Sequence, residues 1–221
     1  PENPPALFVL IMLIDFEKIS PREAYPWLIN VINPRPIAWV SSLSAAGQAN
    51  LAPYSFFAGV GSNPMTIVYC PANKADGSEK DSLRNSKPVH EGGTGVFAVN
   101  GTPARLAREA AVSAEELPYG ESEFELVGLA SAACTMIPCV RLADAPWTLE
   151  CETLQVVRTN PGQPGGGNLV IARVVHLHVA DGLLDERLRA DADVLDAVGR
   201  MGGHEWCRTR DRFELKPGRQ S

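Results

Sequence analysis

Asn50-Leu51-Ala52-Pro53-Tyr54-Ser55 combines small side chains, one proline and an uncluttered main chain. A flat ligand can lie against such a segment, bonding along its polar edge to backbone N–H and C=O groups. Ser41 and Ser42 add hydroxyls from the apolar stretch that precedes it. The segment carries no metal-ligand spacing, no Gly-x-Ser-x-Gly elbow and no phosphate loop. It suits the holding of a cofactor that brings its own reactivity. Lys80-Asp81-Ser82 opens a predicted helical turn, where a cation, a hydroxyl and free N–H groups suit an anion. Local sequence alone more often reads this tripeptide as a cap on a surface helix with Lys80 in water. His176 and His178 alternate with Leu177 and Val179, so both point to one face of a strand. They could ligate a metal, but no third ligand is near in sequence, and each otherwise reads as a hydrogen-bonded strand histidine.

Positioning these residues requires a particular set of elements. Residues 37–44 are apolar and β-prone, Ala45-Ala46-Gly47-Gln48 is a turn with a glycine free to take positive φ, and 48–53 returns as a strand. Further strands are expected at 65–70, 95–100, 130–137, 147–158 and along the Val-rich stretch 168–180. Ser20-Pro21-Arg22-Glu23 is a capping box with proline at the first helical position, predicting a short helix disturbed by Pro26. One or two helical turns are expected at 81–87. Thr102-Pro103 opens a helix through about Ala111, and Ser113-Ala114-Glu115-Glu116 opens another. Asp191 to Arg200 reads as a helix ended by Gly202-Gly203, and 205–215 as a segment closing the sheet. Many short strands with sparse helices favour an antiparallel barrel with peripheral helices.

Composition bounds the function. A length of 221 residues with 45% apolar and 21% charged residues fits one soluble domain. A net charge of −6 without a basic run argues against nucleic acid as a partner. No apolar run reaches the roughly 20 residues of a membrane span. Ala6 to Ile14 is apolar, but no positive charge precedes it, which argues against a signal peptide. The five cysteines form no disulfide framework; Cys134 and Cys139 read as free thiols rather than zinc ligands, in a reducing, cytoplasmic compartment. Glycine spacing of the Rossmann kind is absent.

From Pro34 to Phe57 the chain reads Pro-Arg-Pro-Ile-Ala-Trp-Val-Ser, a glycine turn, then Asn-Leu-Ala-Pro-Tyr-Ser-Phe-Phe. This resembles the hairpin of the flavin reductase-like family, the FMN-binding split barrels that include flavoredoxin. Lys80 to Asn85, Phe97 to Asn100 and Arg200 to Gly203 extend the likeness from roughly Met12 to the C-terminus. The resemblance implies a mainly β fold, an antiparallel FMN-binding split β-barrel of Greek-key type with a few peripheral helices. It assigns residues 12–221 to that domain and leaves 1–11 as an extension, either foreign to the domain or an arm.

The resemblance also implies a site. FMN would lie against Trp39, Ser41, Ser42, Asn50, Leu51, Ala52 and Ser55, with its phosphate near Lys80 and Ser82 and Arg84 as a weaker candidate. NADH or NADPH would be the co-substrate, with His178 near the nicotinamide, although His176 aligns as readily. The implied assembly is a homodimer with each flavin near the interface, and the implied partner a monooxygenase or redox protein. The implied activity is NAD(P)H-dependent flavin reduction by hydride transfer to flavin N5, with no obligatory acid, base or nucleophile from the protein and no metal. The alternative is a non-enzymatic FMN electron carrier like flavoredoxin; an oxidase resembling pyridoxamine phosphate oxidase fits the motifs less well.

Overall fold

The computed structural model describes residues 12–216 and Gly218; the reading of residues 1–11 as an extension lies outside them. In chain order the strands are β1 (Ala38–Leu43), β2 (Ala49–Tyr54), β3 (Phe57–Ser62), β4 (Met65–Tyr69), β5 (Val96–Asn100), β6 (Ser131–Ala133), β7 (Val140–Leu142), β8 (Trp147–Arg158), β9 (Asn168–Val179), β10 (Val198–Arg200) and β11 (Trp206–Arg208). The helices are α1 (Pro21–Val31), α2 (Asp81–Ser86), α3 (Ala107–Val112), α4 (Glu123–Val127) and α5 (Ala192–Leu195). Seven strands form one sheet in the order β2-β1-β5-β8-β9-β4-β3, with every pairing antiparallel. The two edge strands, β2 and β3, are consecutive in the chain and joined only by Ser55 and Phe56. That short link forces the sheet to curl until its edges meet at one corner without pairing, which is the split barrel.

Period-2 alternation sorts the side chains of each strand into two layers. Val40, Val99, Leu149, Phe97, Tyr69 and Val170 fill the barrel interior. Trp39 and Leu51 face the other way, into a second core with Leu106, Phe124 and Leu142 beneath α3, α4 and β7. The buried amide of Asn100 stitches the layers together. Its Nδ2 donates to Trp39 O at 2.9 Å and Ser41 Oγ at 3.0 Å, while its Oδ1 accepts from Leu142 N at 2.9 Å and Thr148 Oγ1 at 3.0 Å.

Several expectations are corrected by tertiary contacts. The Ser113 pattern starts no helix, because its hydroxyl donates to Ala110 O and accepts from the Trp39 indole N–H at 2.9 Å. The helix comes later, as α4. The strand expected at 130–137 stops at Ala133, since the next turn's N–H groups are drawn to the Glu150 carboxylate. Asp191 does cap a helix, but α5 ends at Leu195 because Arg200 pairs in both directions with the main chain of Arg35 at 2.9 Å. Gly202 and Gly203 therefore sit in the turn between β10 and β11, which form a separate ribbon and do not close the sheet. Strand β3 had no place in the sequence reading. The Ser20 capping box is present, and α1 runs through Pro26 without a break.

Arg35, 3% exposed, joins three parts of the chain. Its guanidinium donates to Ile29 O and Ile32 O at the end of α1, to Asn33 Oδ1, to Ser55 Oγ at the barrel corner and to Met201 O before the β10–β11 turn. Removing it leaves several partly buried acceptors without donors. Arg35→Met is expected to cost about 2–4 kcal/mol, read as a lower urea midpoint at unchanged slope. Arg35→Lys, which keeps the charge but loses the planar fork, should fall between the two; an unchanged midpoint in Arg35→Met would refute the bracing role.

Candidate functional site

The free edge of β2 is where backbone groups remain available; two spaces border it, and a third shares walls with both. Pro53 and Ser55 border a cavity of about 600 Å³ walled by Tyr25, Ile29, Arg200 and Trp206. Lys80, Ala72 and Gly165 border a larger groove of about 1350 Å³ under α1. Asn50, Ala52, Tyr54 and Ser82 border a crevice of only about 30 Å³. Tyr25 belongs to both larger spaces, Lys80 to the groove and the crevice, and Ala114 to the cavity and the crevice. The three spaces are therefore neighbours that share walls.

One buried carboxylate sets the position of the β2 edge. Glu123, 4% exposed, accepts from Asn50 Nδ2 at 2.8 and 2.9 Å and from Leu51 N at 2.9 Å. Asn50 Oδ1 in turn accepts from Ser82 Oγ at 2.8 Å and Ser42 Oγ at 3.3 Å, and Asn85 Nδ2 donates to Ser42 Oγ at 3.1 Å. The network ties α4, β2, β1 and α2 together. Burial pushes the Glu123 carboxyl above the usual carboxylate range, although the Leu51 N–H and the Asn50 amide pull against it.

Charge is divided unevenly around the edge. Asp81, Glu115, Glu116 and Glu123 line the crevice beside Lys74 and Lys80. The cavity and the groove are lined by no Asp or Glu among the described residues, yet they carry Arg35 and Arg200, and Arg22 and Lys80, respectively. An anion is thus favoured in the larger spaces and opposed in the crevice. Asp81 also occupies the first turn of α2, taking the favourable position an outside anion would use.

The residues read from sequence separate into two groups. Ala52, Ser55 and Lys80 border the spaces around the edge, and Asn50 and Ser82 border the crevice with their polar atoms already paired. Trp39, Ser41, Ser42 and Leu51 are fully buried; Ser41 Oγ, for example, donates to Val140 O at 2.7 Å. Arg84 stacks on the Tyr119 ring at 3.7 Å. His178 lies elsewhere, on β9, with Nε2 2.5 Å from Glu150 Oε1. The third ligand type that the sequence did not reveal is Glu150, on β8 opposite His176; Glu150, His176 and His178 place ligand atoms within 4.8 Å of one another. Its oxygens, however, also accept from Thr135, Met136 and Ile137 N–H, so protein donors already surround them. Burial would raise the Glu150 carboxyl, but these N–H groups and the His178 ring outweigh it and hold it below the usual range. Glu123 was missed as a site residue, because nothing in its local sequence marks its long-range partners.

The profile of the family described as "Flavin reductase like domain" matches residues 32–200. The fold is similar to that of nitrilotriacetate monooxygenase component B from Bacillus cereus, with a TM-score of 0.85 and 30% identity over 93% of this chain and 98% of that one. It is similar to Pseudomonas fluorescens 2-nitrobenzoate 2-nitroreductase NbaA, with a TM-score of 0.80 and 29% identity over 94% and 96% of the two chains. Flavoredoxin of Desulfovibrio vulgaris (Miyazaki F) shares the fold alone, with a TM-score of 0.68 and 16% identity over 84% and 92%. No helix among the described residues is long and apolar enough to cross a membrane.

The two buried carboxylates should leave opposite marks on stability. Glu123 has a raised folded-state pKa, so its contribution is full below the unfolded value of about 4.3 and is lost as pH rises through the folded value. Glu150 has a depressed one, so its contribution is full above about 4.3 and is lost as pH falls through the folded value. Urea midpoints from about pH 3 to 7 are expected to lose their alkaline-side decline in Glu123→Gln and part of their acid-side decline in Glu150→Gln. Identical pH profiles for both variants and the parent would contradict this assignment.

Proposed function

The chain belongs to the flavin reductase-like domain family, and on that footing we propose that it binds FMN along the β2 edge and uses it to oxidise NADH or NADPH. The family match and the acid-free cavity beside that edge carry the reading. The donor set fits FMN: backbone of 50–55 for a planar polar edge, Ala52 and Ser55 beside it, apolar walls, and the Arg22 and Lys80 cations on the groove, Lys80 lying also 3.8 Å from Glu116. When bound, FMN supplies the redox chemistry, accepting a hydride from the nicotinamide at its N5.

The protein's own residues bind and orient. Main-chain groups of residues 50–55 receive the ring edge, on a strand that Glu123 and Asn50 hold still. Lys80, with Arg22 across the groove, receives the phosphate on the side away from the crevice acids. Trp39, Ser41, Ser42 and Leu51 support the strands from behind. Tyr25, Ile29 and Trp206 wall the adjoining cavity.

The active form is a homodimer. Among the described residues helix α1 buries none of its own, and Tyr25, Trp27, Leu28 and Val31 are exposed beside the groove. A second copy covering that face would complete the wall. The likeness to a monooxygenase component supports a partner oxygenase that consumes the reduced flavin.

FMN is expected to bind the purified protein, and an anaerobic titration with NADH or NADPH to bleach the bound flavin. Lys80→Met should weaken FMN binding about tenfold, equivalent to about 1.4 kcal/mol. Failure to bind FMN refutes the proposal outright. Bound flavin that neither nicotinamide reduces, but a reduced redox protein does, would instead mark an electron carrier.

A further inference from the structure

The cavity of about 600 Å³ beside Pro53 and Ser55 is bordered by a guanidinium, that of Arg200, to which the flavin reading gives no role. Two guanidinium groups, Arg35 and Arg200, border it, and neither has a carboxylate partner among the described residues. In a chain of net charge −6, an acid-free pocket holding two cations is an unusual concentration of positive potential. The two cations also act on each other. Burial lowers the Arg35 guanidinium from its ordinary range, and the Arg200 charge adds to that, with Tyr25 acting in the opposite sense.

The two arginines have different freedom. Arg35 spends its N–H groups on five protein acceptors, so it contributes charge more than contacts. Arg200 donates to Gly203 O at 2.7 Å and lies over the Trp206 ring at 5.0 Å. No other hydrogen bond from its guanidinium is formed among the described residues, so the rest of its planar fork is free for a ligand. Trp206, Tyr25, Ile29 and Pro53 supply flat or apolar wall, and Ser55 and Asn30 supply the few polar groups.

We propose that this cavity binds a planar aromatic carboxylate, its ring between Tyr25 and Trp206 and its carboxylate on the Arg200 fork. Planar bidentate recognition is what an arginine offers a carboxylate, and the aromatic walls suit a flat ring. A phosphate group would call for more donors than the committed Arg35 leaves. The proposal rests on the flavin reading for its function, since Pro53 and Ser55 border the cavity and also belong to the segment that receives the flavin ring. An occupant there would lie next to the cofactor, as a second substrate must.

The test is calorimetric titration of the FMN-loaded protein with benzoate, with its neutral isostere benzamide, and with inorganic phosphate, all at fixed ionic strength. Benzoate should bind at least about tenfold more tightly than benzamide, the discrimination expected of a charge-assisted contact worth more than about 1.4 kcal/mol. Arg200→Met should weaken benzoate by a similar factor while leaving benzamide and FMN affinities within about twofold. Arg200→Lys, which keeps the charge, should fall between, and it carries the test if the methionine variant does not fold. Equal binding of benzoate and benzamide, no binding of either, or displacement of benzoate by phosphate at equal concentration would overturn the proposal. A parallel loss of FMN affinity in the Arg200 variants would overturn it too, by assigning this arginine to the flavin. Protein that takes up no FMN refutes the flavin reading instead; the same titrations on that protein still decide whether the cavity takes an aromatic carboxylate.

Discussion

The contact between the Glu123 carboxylate and the Asn50-Leu51 segment is the constraint on which the site depends. A carboxylate removed from water is costly unless its oxygens are occupied, and here a side-chain amide and a main-chain N–H occupy them. The amide cannot rotate, because Ser82 and Ser42 hold its oxygen. A free strand edge, the most deformable part of any sheet, is thereby pinned to α4 on one side and to α2 on the other. Asn100 does the same for the opposite layer, fixing β1, β5, β7 and β8 through one amide. Satisfied polar groups in a low-dielectric interior specify one arrangement where apolar packing alone would tolerate several.

Sequence patterning revealed those parts of the molecule whose causes are local. The β1–β2 hairpin was legible because alternation, Gly47 and the following small residues all point to the same answer. The long β8 and β9 strands were legible through their run of β-branched and apolar residues, and α1 through its Ser20–Glu23 capping box. What was illegible depends on partners far along the chain. Ser113 has the right neighbours for a helix cap but is claimed by Trp39, 74 residues away. Arg200 has a helical context but pairs with Arg35. Glu123 meets Leu51 across 72 residues, a distance no local pattern encodes. Of the residues read from sequence, Ala52, Ser55 and Lys80 border these spaces, whereas the cationic walls emerged only when α1 and the β10–β11 ribbon were placed.

The charge pattern around the edge has a physical logic. Acidic groups cluster in the narrow crevice, where they pair with Lys74 and Lys80 and with the N–H groups around Glu123. The roomier spaces are left with cations and apolar surface. Anions are consequently steered to the volumes that can hold them, since no Asp or Glu among the described residues lines these volumes.

The two-residue corner between β2 and β3 has a consequence for how such a protein can change. The floor of the site is a covalently continuous stretch, from Asn50 through Ser55 to Phe57, whose shape is set by the chain turning that corner. The walls come from residues 25–30, 111–114 and 200–206, three separate segments resting on the floor. Substitution or lengthening in any of them alters what fits beside the floor without reshaping the floor. Pro53, lacking an N–H, keeps the same exposed edge from recruiting a foreign strand. Descent with modification can therefore retune the mouth freely while the seam is inherited intact.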